Sequence, residues 1–251
     1  MLKNLSFAAA FMSNCLDLTS LNIDDTDEKI IALCDHGDLN LVAGICIYPK
    51  FVPVARKHLC RENHASPRLV TVVGFPSSQT PLQLKVDEAK YVLDEGADEI
   101  DFVMPVGKFL EGKYDEVEEE ISTIKQLCGK DVLLKCILET GALPTDDHVE
   151  KAARLAIKAG ADFLKTSTGK IAKGADLHSS QIILNVIQDH FDHTLKPDRI
   201  GFKVAGGIST YSDALPYLDL VQTTLGEYGM DKQHFRIGSS KLLDYLINNE
   251  D

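Results

Sequence analysis

Two segments of the chain repeat one pattern and end in opposite charges. Glu95-Gly96-Ala97-Asp98-Glu99-Ile100-Asp101-Phe102 aligns with Ala159-Gly160-Ala161-Asp162-Phe163-Leu164-Lys165-Thr166 at a displacement of 64 residues, which puts Asp101 and Lys165 at equivalent positions. Other charges stand inside short apolar runs: Asp17, Lys135 and Lys203. Ammonium groups crowded into one space disfavour each other's protonation, and a neutral lysine attacks carbonyl carbon. The imine so formed is an electron sink, which is what breaking a carbon–carbon bond beside a carbonyl requires. A neighbouring aspartate is the group to move the protons.

These residues must be positioned by the elements around them. Strand-like pieces occur at 16–19, 42–48, 69–75, 99–104, 132–139, 163–167, 200–205 and 235–238, and helical patterns at 26–36, 82–95, 114–128, 146–159, 179–190 and 212–225. Asp25 or Thr26 opens one helix, and Gly96 and Gly160 close two others just before a strand. Strands alternating with helices predict a parallel β/α structure, and eight of them in 251 residues fit one closed (β/α)8 TIM barrel over residues 1–251. A doubly wound open sheet is the alternative, because pattern alone does not show closure.

Strand side chains alternate between faces. Ile100, Phe102, Met104, Leu134, Cys136, Leu138, Leu164, Phe202 and Val204 form the sets that should pack on the helices. That leaves Asp17, Thr19, Asp101, Val103, Lys135, Ile137, Lys165, Ser167 and Lys203 pointing inward. Barrel interiors are normally filled by branched apolar residues, and burying a charge costs several kcal/mol unless it is paired. Three lysines and two aspartates converging there point to function. The repeat sets Lys165 in register with Asp101, whereas Lys203 has no carboxylate in the corresponding register; this favours Lys165 as the imine-forming residue.

The strand ends add a second component. Thr166-Ser167-Thr168-Gly169-Lys170, Ala205-Gly206-Gly207-Ile208-Ser209 and Gly238-Ser239-Ser240 follow strands six, seven and eight. Glycines mixed with small hydroxyl residues let backbone N–H groups face an anion, and barrel enzymes often bind phosphate after strands seven and eight. Gly169-Lys170 is not a nucleotide-binding P-loop, since Ile171 stands where Ser or Thr is needed.

The balance of 26 Lys and Arg against 38 Asp and Glu, a net charge of −12, argues against nucleic-acid or anionic-membrane partners. Nothing approaches the ~20 apolar residues of a membrane span. Six scattered cysteines without a Cys-x-x-Cys pair read as buried free thiols in a reducing cytoplasm; Cys60 and His64 have no second pair to complete a zinc site. The start has the charge and short apolar run of a signal peptide but lacks an Ala-x-Ala pattern, and Ser6-Phe7-Ala8-Ala9-Ala10-Phe11 reads equally as a short leading helix.

Phe163-Leu164-Lys165-Thr166-Ser167-Thr168-Gly169-Lys170 and Gly201-Phe202-Lys203-Val204-Ala205-Gly206-Gly207 resemble the signatures of the deoxyribose-phosphate aldolases, class I aldolases on a β/α barrel. Gly96-Ala97-Asp98-Glu99-Ile100-Asp101, Leu16-Asp17-Leu18-Thr19 and Ile45-Cys46-Ile47-Tyr48-Pro49 match as well, so the resemblance covers essentially the whole chain. It implies reversible cleavage of 2-deoxy-D-ribose 5-phosphate to D-glyceraldehyde 3-phosphate and acetaldehyde, without metal or cofactor. It further implies that Lys165 forms the Schiff base, that Lys203 favours its neutral form, and that Asp101 handles protons. Gly169, Lys170, Gly206, Gly207, Gly238, Ser239 and Ser240 would hold the phosphate, while Asp17, Thr19, Cys46, Lys135 and Thr168 would line or support the pocket. Relatives form dimers or tetramers, so a homo-oligomer is expected.

The chain departs from the pattern at Val204, on the outward face, and at the tail Asn248-Asn249-Glu250-Asp251, which lacks the terminal tyrosine some relatives use as a proton relay. The rival readings are another lysine-dependent phosphosugar aldolase, separated by acetaldehyde release, and a non-catalytic phosphosugar-binding barrel, which would not need the three charged residues together.

Overall fold

The computed structural model describes residues 7–59, 67–193 and 200–249. The leading helix α1 (Phe7–Asn14) precedes strand β1 (Leu16–Thr19). There follow α2 (Asp27–Leu39), β2 (Gly44–Ile47), α3 (Val52–Leu59), β3 (Arg68–Val73), α4 (Leu82–Asp94) and β4 (Glu99–Val103). After them come α5 (Val106–Leu110), α6 (Tyr114–Cys128), β5 (Leu133–Ile137), α7 (Asp146–Lys158) and β6 (Phe163–Lys165). The chain ends through α8 (Leu177–His193), β7 (Gly201–Ala205), α9 (Tyr211–Leu225), β8 (Phe235–Ser239) and α10 (Leu242–Asn248). The eight strands run parallel in sequence order, and β8 pairs with β1 to close the barrel. The open-sheet alternative is thereby excluded.

Local chemistry explains the element ends. Thr26 caps α2 by accepting the N–H of Lys29, and Thr210 with Asp213 forms a reciprocal capping box that starts α9. Gly96 and Gly160 take φ of +90° and +93°, the left-handed turn that releases α4 and α7 towards their strands. Several strands stop earlier than alternation predicts. Gly74 turns to φ +67° and donates its N–H to Glu88 instead of the sheet, and Glu139 ends the β5 segment in the left-handed region at φ 53°. Helices α3, α5 and α10 were not legible in the sequence. They are too short for the periodicity to show, and α3 carries Pro53 in its first turn.

The repeat has a structural meaning at the floor of the barrel. Asp98 accepts the N–H of Leu69 at 2.7 Å and the Arg56 guanidinium at 2.6 Å. Asp162, its counterpart, accepts the N–H of Leu134 and the Lys125 ammonium, both at 2.7 Å. Each aspartate fastens its own strand to the previous strand and to the helix that leads into that previous strand, α3 for Asp98 and α6 for Asp162. β4 and β6 therefore enter the barrel in the same register, and Asp101 and Lys165 inherit it.

The residues sorted outward are buried in the layer between sheet and helices: Ile100, Phe102, Met104, Leu134, Cys136, Leu138, Leu164, Phe202 and Val204 all belong to that core. Valine at 204 thus fills a packing position. Cys15, Cys34, Cys46, Cys128 and Cys136 are free and buried, and burial pushes the Cys136 thiol up to about 12. Cys60 and His64 lie outside the described residues. Among the described residues no helix is long and apolar enough to cross a membrane.

Candidate active site

The barrel interior is divided into a small apolar sector from two strands and a charged sector from the other six. β2 and β3 supply Cys46, Val70 and Val72, which pack with Leu21 and carry Tyr48 and Phe75 above them. The remaining strands supply charge. Phe163 lies under that sector: the Lys135 ammonium and the Arg236 guanidinium sit 6.0 and 5.8 Å from its ring centre. Gly201 makes room for it, since a Cβ there would stand 2.3 Å from the ring.

Six buried charges close into a ring of alternating sign. Glu99 pairs with Lys135, Lys135 reaches Asp101 at 3.1 Å, and Asp101 accepts from Lys203 at 2.7 Å. Lys203 donates to Asp17 at 2.5 Å, Asp17 accepts from Arg236 at 2.7 Å, and Arg236 returns to Glu99 through contacts of 2.9 and 3.1 Å. Every member has a ring neighbour of opposite sign on each side. Burial opposes charge on all six, but the neighbours outweigh it. Lys203 and Arg236 hold the Asp17 carboxyl below the usual carboxylate range, Lys135 and Arg236 do so for Glu99, and the three lysines do so for Asp101. The same carboxylates hold Lys135, Lys203 and Arg236 above their ordinary values.

Lys165 hangs from this ring. Its ammonium donates to Oδ2 of Asp101 at 2.7 Å, the same oxygen that Lys203 uses. The ring is neutral without it. Lys165 is also the charged interior residue that reaches the cavity above, at 4 % exposure, while Lys135 and Lys203 are sealed at 0 %.

That cavity, about 190 Å3, is lined by Thr19, Lys165, Thr168, Gly169, Lys170, Gly206, Gly207, Gly238, Ser239 and Ser240 among others. Ten of the residues singled out in the sequence are therefore brought together at its wall. Asp17, Cys46, Asp101, Lys135 and Lys203 lie beneath it, fully buried. The Lys170 ammonium donates to the Leu21 carbonyl at 2.6 Å and ties the loop after β6 to the loop after β1. Gly206 and Gly207 adopt φ of +97° and +89°, and the Gly206 carbonyl accepts from Ala175, so the β6 and β7 loops meet backbone to backbone.

Three sequence expectations change in detail. Lys203 is not short of carboxylates: Asp17 and Asp101 both serve it, because in a closed barrel partners come from across the interior and not from the adjacent register. Ser239 lines the cavity, but its hydroxyl donates to Ile208 at 2.6 Å and accepts the N–H groups of Lys241 and Leu242. Gly238 is glycine for a further reason, since a Cβ would stand 3.2 Å from Cε of Lys203. Ser167, sorted inward, lies past the end of β6, packed beneath Gly206.

The sequence reading missed Glu99, Arg236, Glu139 and Lys241. Glu99 was available by alternation, two residues before Asp101, and Arg236 by the same rule two residues before Gly238. Glu139 is buried under the β6 loop, where it accepts the Thr168 hydroxyl and N–H and so fixes Thr168. Lys241 joins Lys170 at the cavity wall, and no strand pattern marks it. Among the described residues no group of His, Cys, Asp and Glu is arranged to hold a metal ion.

A closed barrel with one lysine projecting from a neutral charge ring into a glycine-walled mouth is an arrangement suited to an enzyme that works on carbonyl carbon. A protein-family model described as the DeoC/LacD family aldolase matches residues 11–230. The chain belongs to that family; it is an aldolase, a carbon–carbon lyase. It is similar to the tetrameric deoxyribose phosphate aldolase from Aeropyrum pernix, at 27% identity over 98% of this chain and 94% of that one, with a TM-score of 0.75. Chains assigned as deoxyribose-phosphate aldolases from Toxoplasma gondii ME49 and Coccidioides immitis match at 25% and 26% identity. Each covers 96% of this chain, with 96% and 86% of their own lengths matched and TM-scores of 0.85 and 0.81.

Proposed function

We propose that this aldolase reversibly cleaves 2-deoxy-D-ribose 5-phosphate to D-glyceraldehyde 3-phosphate and acetaldehyde through an imine on Lys165. The observation that carries the reading is that Lys165 alone projects from the neutral ring into the cavity. It can give up its proton and leave six paired charges behind, whereas deprotonating Lys135 or Lys203 would strand carboxylates that are fully buried. The similarity to deoxyribose-phosphate aldolases supports the substrate.

Neutral Lys165 adds to the C1 aldehyde, and the carbinolamine loses water to give a protonated imine. Asp101 is held as a carboxylate, so it accepts protons in these steps and passes them back through water. The C3 hydroxyl then passes its proton through water to the Asp101 carboxylate, the C2–C3 bond breaks, and its electron pair moves into the iminium to form an enamine. Glyceraldehyde 3-phosphate leaves. Protonation of the enamine at C2 and hydrolysis release acetaldehyde and restore the Lys165 amine. Lys203, kept cationic by Asp17 and Asp101, competes with Lys165 for Oδ2 of Asp101 and weakens its hold on the Lys165 proton.

The phosphate fits the upper cavity, where Lys170, Lys241 and the backbone of Gly169, Gly206, Gly207 and Ser240 surround the space. We further infer a homo-oligomer, as in the tetrameric Aeropyrum pernix relative, and a cytoplasmic site of action, in keeping with the buried free thiols. Borohydride reduction with substrate followed by peptide mapping tests the central claim. An adduct on Lys165 with acetaldehyde as product supports it, and an adduct elsewhere or no acetaldehyde overturns it.

A further inference from the structure

The far side of the ring is occupied by two residues that never reach the cavity. Glu99 is 1 % and Arg236 3 % exposed, at the level of Phe163. Arg236 holds Glu99 through both of its terminal nitrogens and holds Asp17 through one of them. Glu99 in turn anchors Lys135, and from there the contacts run through Asp101 to Lys165. We infer that Glu99 and Arg236 are positioning residues that set how readily Lys165 gives up its proton, acting through the charge balance of the closed ring. The inference rests on Lys165 as the imine-forming lysine.

Water does not screen charges in this buried space, so the sum of charges around Lys165 matters. The ring holds three carboxylates and three cations, and Lys165 is a fourth cation attached to it. Neutralising Glu99 leaves the ring one positive charge in excess, which opposes an ammonium at position 165. Removing the Arg236 cation leaves one negative charge in excess, which favours it. The two changes must therefore act in opposite directions, although both sever the same salt bridge. A role limited to holding the floor together would make them act alike.

Other charged or titratable groups also face Lys165. Asp101 approaches from β4, Lys203 from β7 and the Cys46 thiol from β2. Lys170 and Lys241 stand at the cavity wall, and Glu139 lies under Thr168. None of these residues is itself replaced by a substitution at 99 or 236; Asp101 and Lys203, as ring members, carry the effect to Lys165.

The experiment measures kcat/KM against pH for acetaldehyde release, whose acid limb reports the free enzyme's nucleophile. Glu99→Gln should move that limb to lower pH and Arg236→Met to higher pH, each by roughly one pH unit, the size expected of a unit charge inside a buried network. Arg236→Lys, which keeps the charge and loses the fork, should return the limb close to the wild-type position. Limbs that move together, or do not move, overturn the inference, as does an Arg236→Lys profile that matches Arg236→Met. If Arg236→Met does not fold, Glu99→Gln decides, and a limb that stays in place or rises overturns it. Mapping of the borohydride adduct in the wild-type enzyme separates the two claims: an adduct on Lys165 with unmoved limbs removes only the ring inference, and an adduct on another residue removes the reading beneath it.

Discussion

The Lys165 ammonium on β6 meets Oδ2 of Asp101 on β4 at 2.7 Å, over the one strand between them, though the two residues stand 64 positions apart at matched places in a repeated segment. Asp98 and Asp162 carry the match into space by fastening β4 and β6 in the same way, three residues earlier in each segment. The pair proposed to handle carbonyl and proton thus follows from a packing repeat.

The two lysines that share Asp101 should separate by mutation. Lys165→Ala is expected to abolish both turnover and the borohydride-trapped adduct. Lys203→Ala should lose most turnover yet keep some adduct, formed increasingly as pH rises, because the ring then lacks a cation and Lys165 holds its proton more tightly. Mass spectrometry of the reduced protein checks both, and a wild-type adduct on Lys203 would reverse the assignment.

Activity should survive EDTA, because in the proposed mechanism an iminium on Lys165 takes the place of a Lewis acid. Loss of turnover that added zinc or magnesium restores would contradict this.

Unphosphorylated 2-deoxyribose should be the poorer substrate by roughly tenfold to a hundredfold or more in kcat/KM, since each hydrogen bond to a charged group contributes about 1.5–3 kcal/mol. Gly206→Ala should narrow that gap. Its Cβ would stand 3.1 Å from Cα of Gly174 at a φ of +97°, so the β6 and β7 loops must part. Kinetics with both sugars on both proteins provide the check.

Acid should destabilise the fold through the ring. Asp17, Glu99 and Asp101 are depressed below their ordinary values of 3.8, 4.5 and 3.8, so their contribution is complete above that range and is lost as pH falls through the lower folded values. Tm should be level above about pH 5 and fall steadily below it. Replacing Glu99 with Gln should flatten the fall, as measured by thermal unfolding across pH.

Gly201→Ala should lower stability by about 1–3 kcal/mol, the usual range for overpacking. The added methyl would stand 2.3 Å from the Phe163 ring, in a space bounded above by Lys135 and Arg236. Denaturant unfolding gives the number, and a neutral result would mean that Phe163 can move without disturbing the ring.

Most of the barrel was legible because its signals are local. Alternation over three to five residues sorts Phe102 from Asp101 and Leu164 from Lys165, and Gly96 and Gly160 mark where helices release their strands. The short helices α3, α5 and α10 escaped because less than about three turns of periodicity does not stand out from loop sequence.

The sequence by itself determined that Asp17, Asp101, Lys135, Lys165 and Lys203 enter the barrel, that charge enters where apolar residues are usual, and that glycine-rich loops crown the strands carrying it. Tertiary structure decided who pairs with whom. A salt bridge between Lys203 and Asp17 spans 186 residues, and one between Arg236 and Asp17 spans 219. No periodicity reports such distances, because they depend on closure: only when β8 meets β1 do the first and last strands bring their charges to the same point. Closure also selects Lys165, since it joins the other charges into a neutral ring and leaves that lysine outside it, facing the cavity.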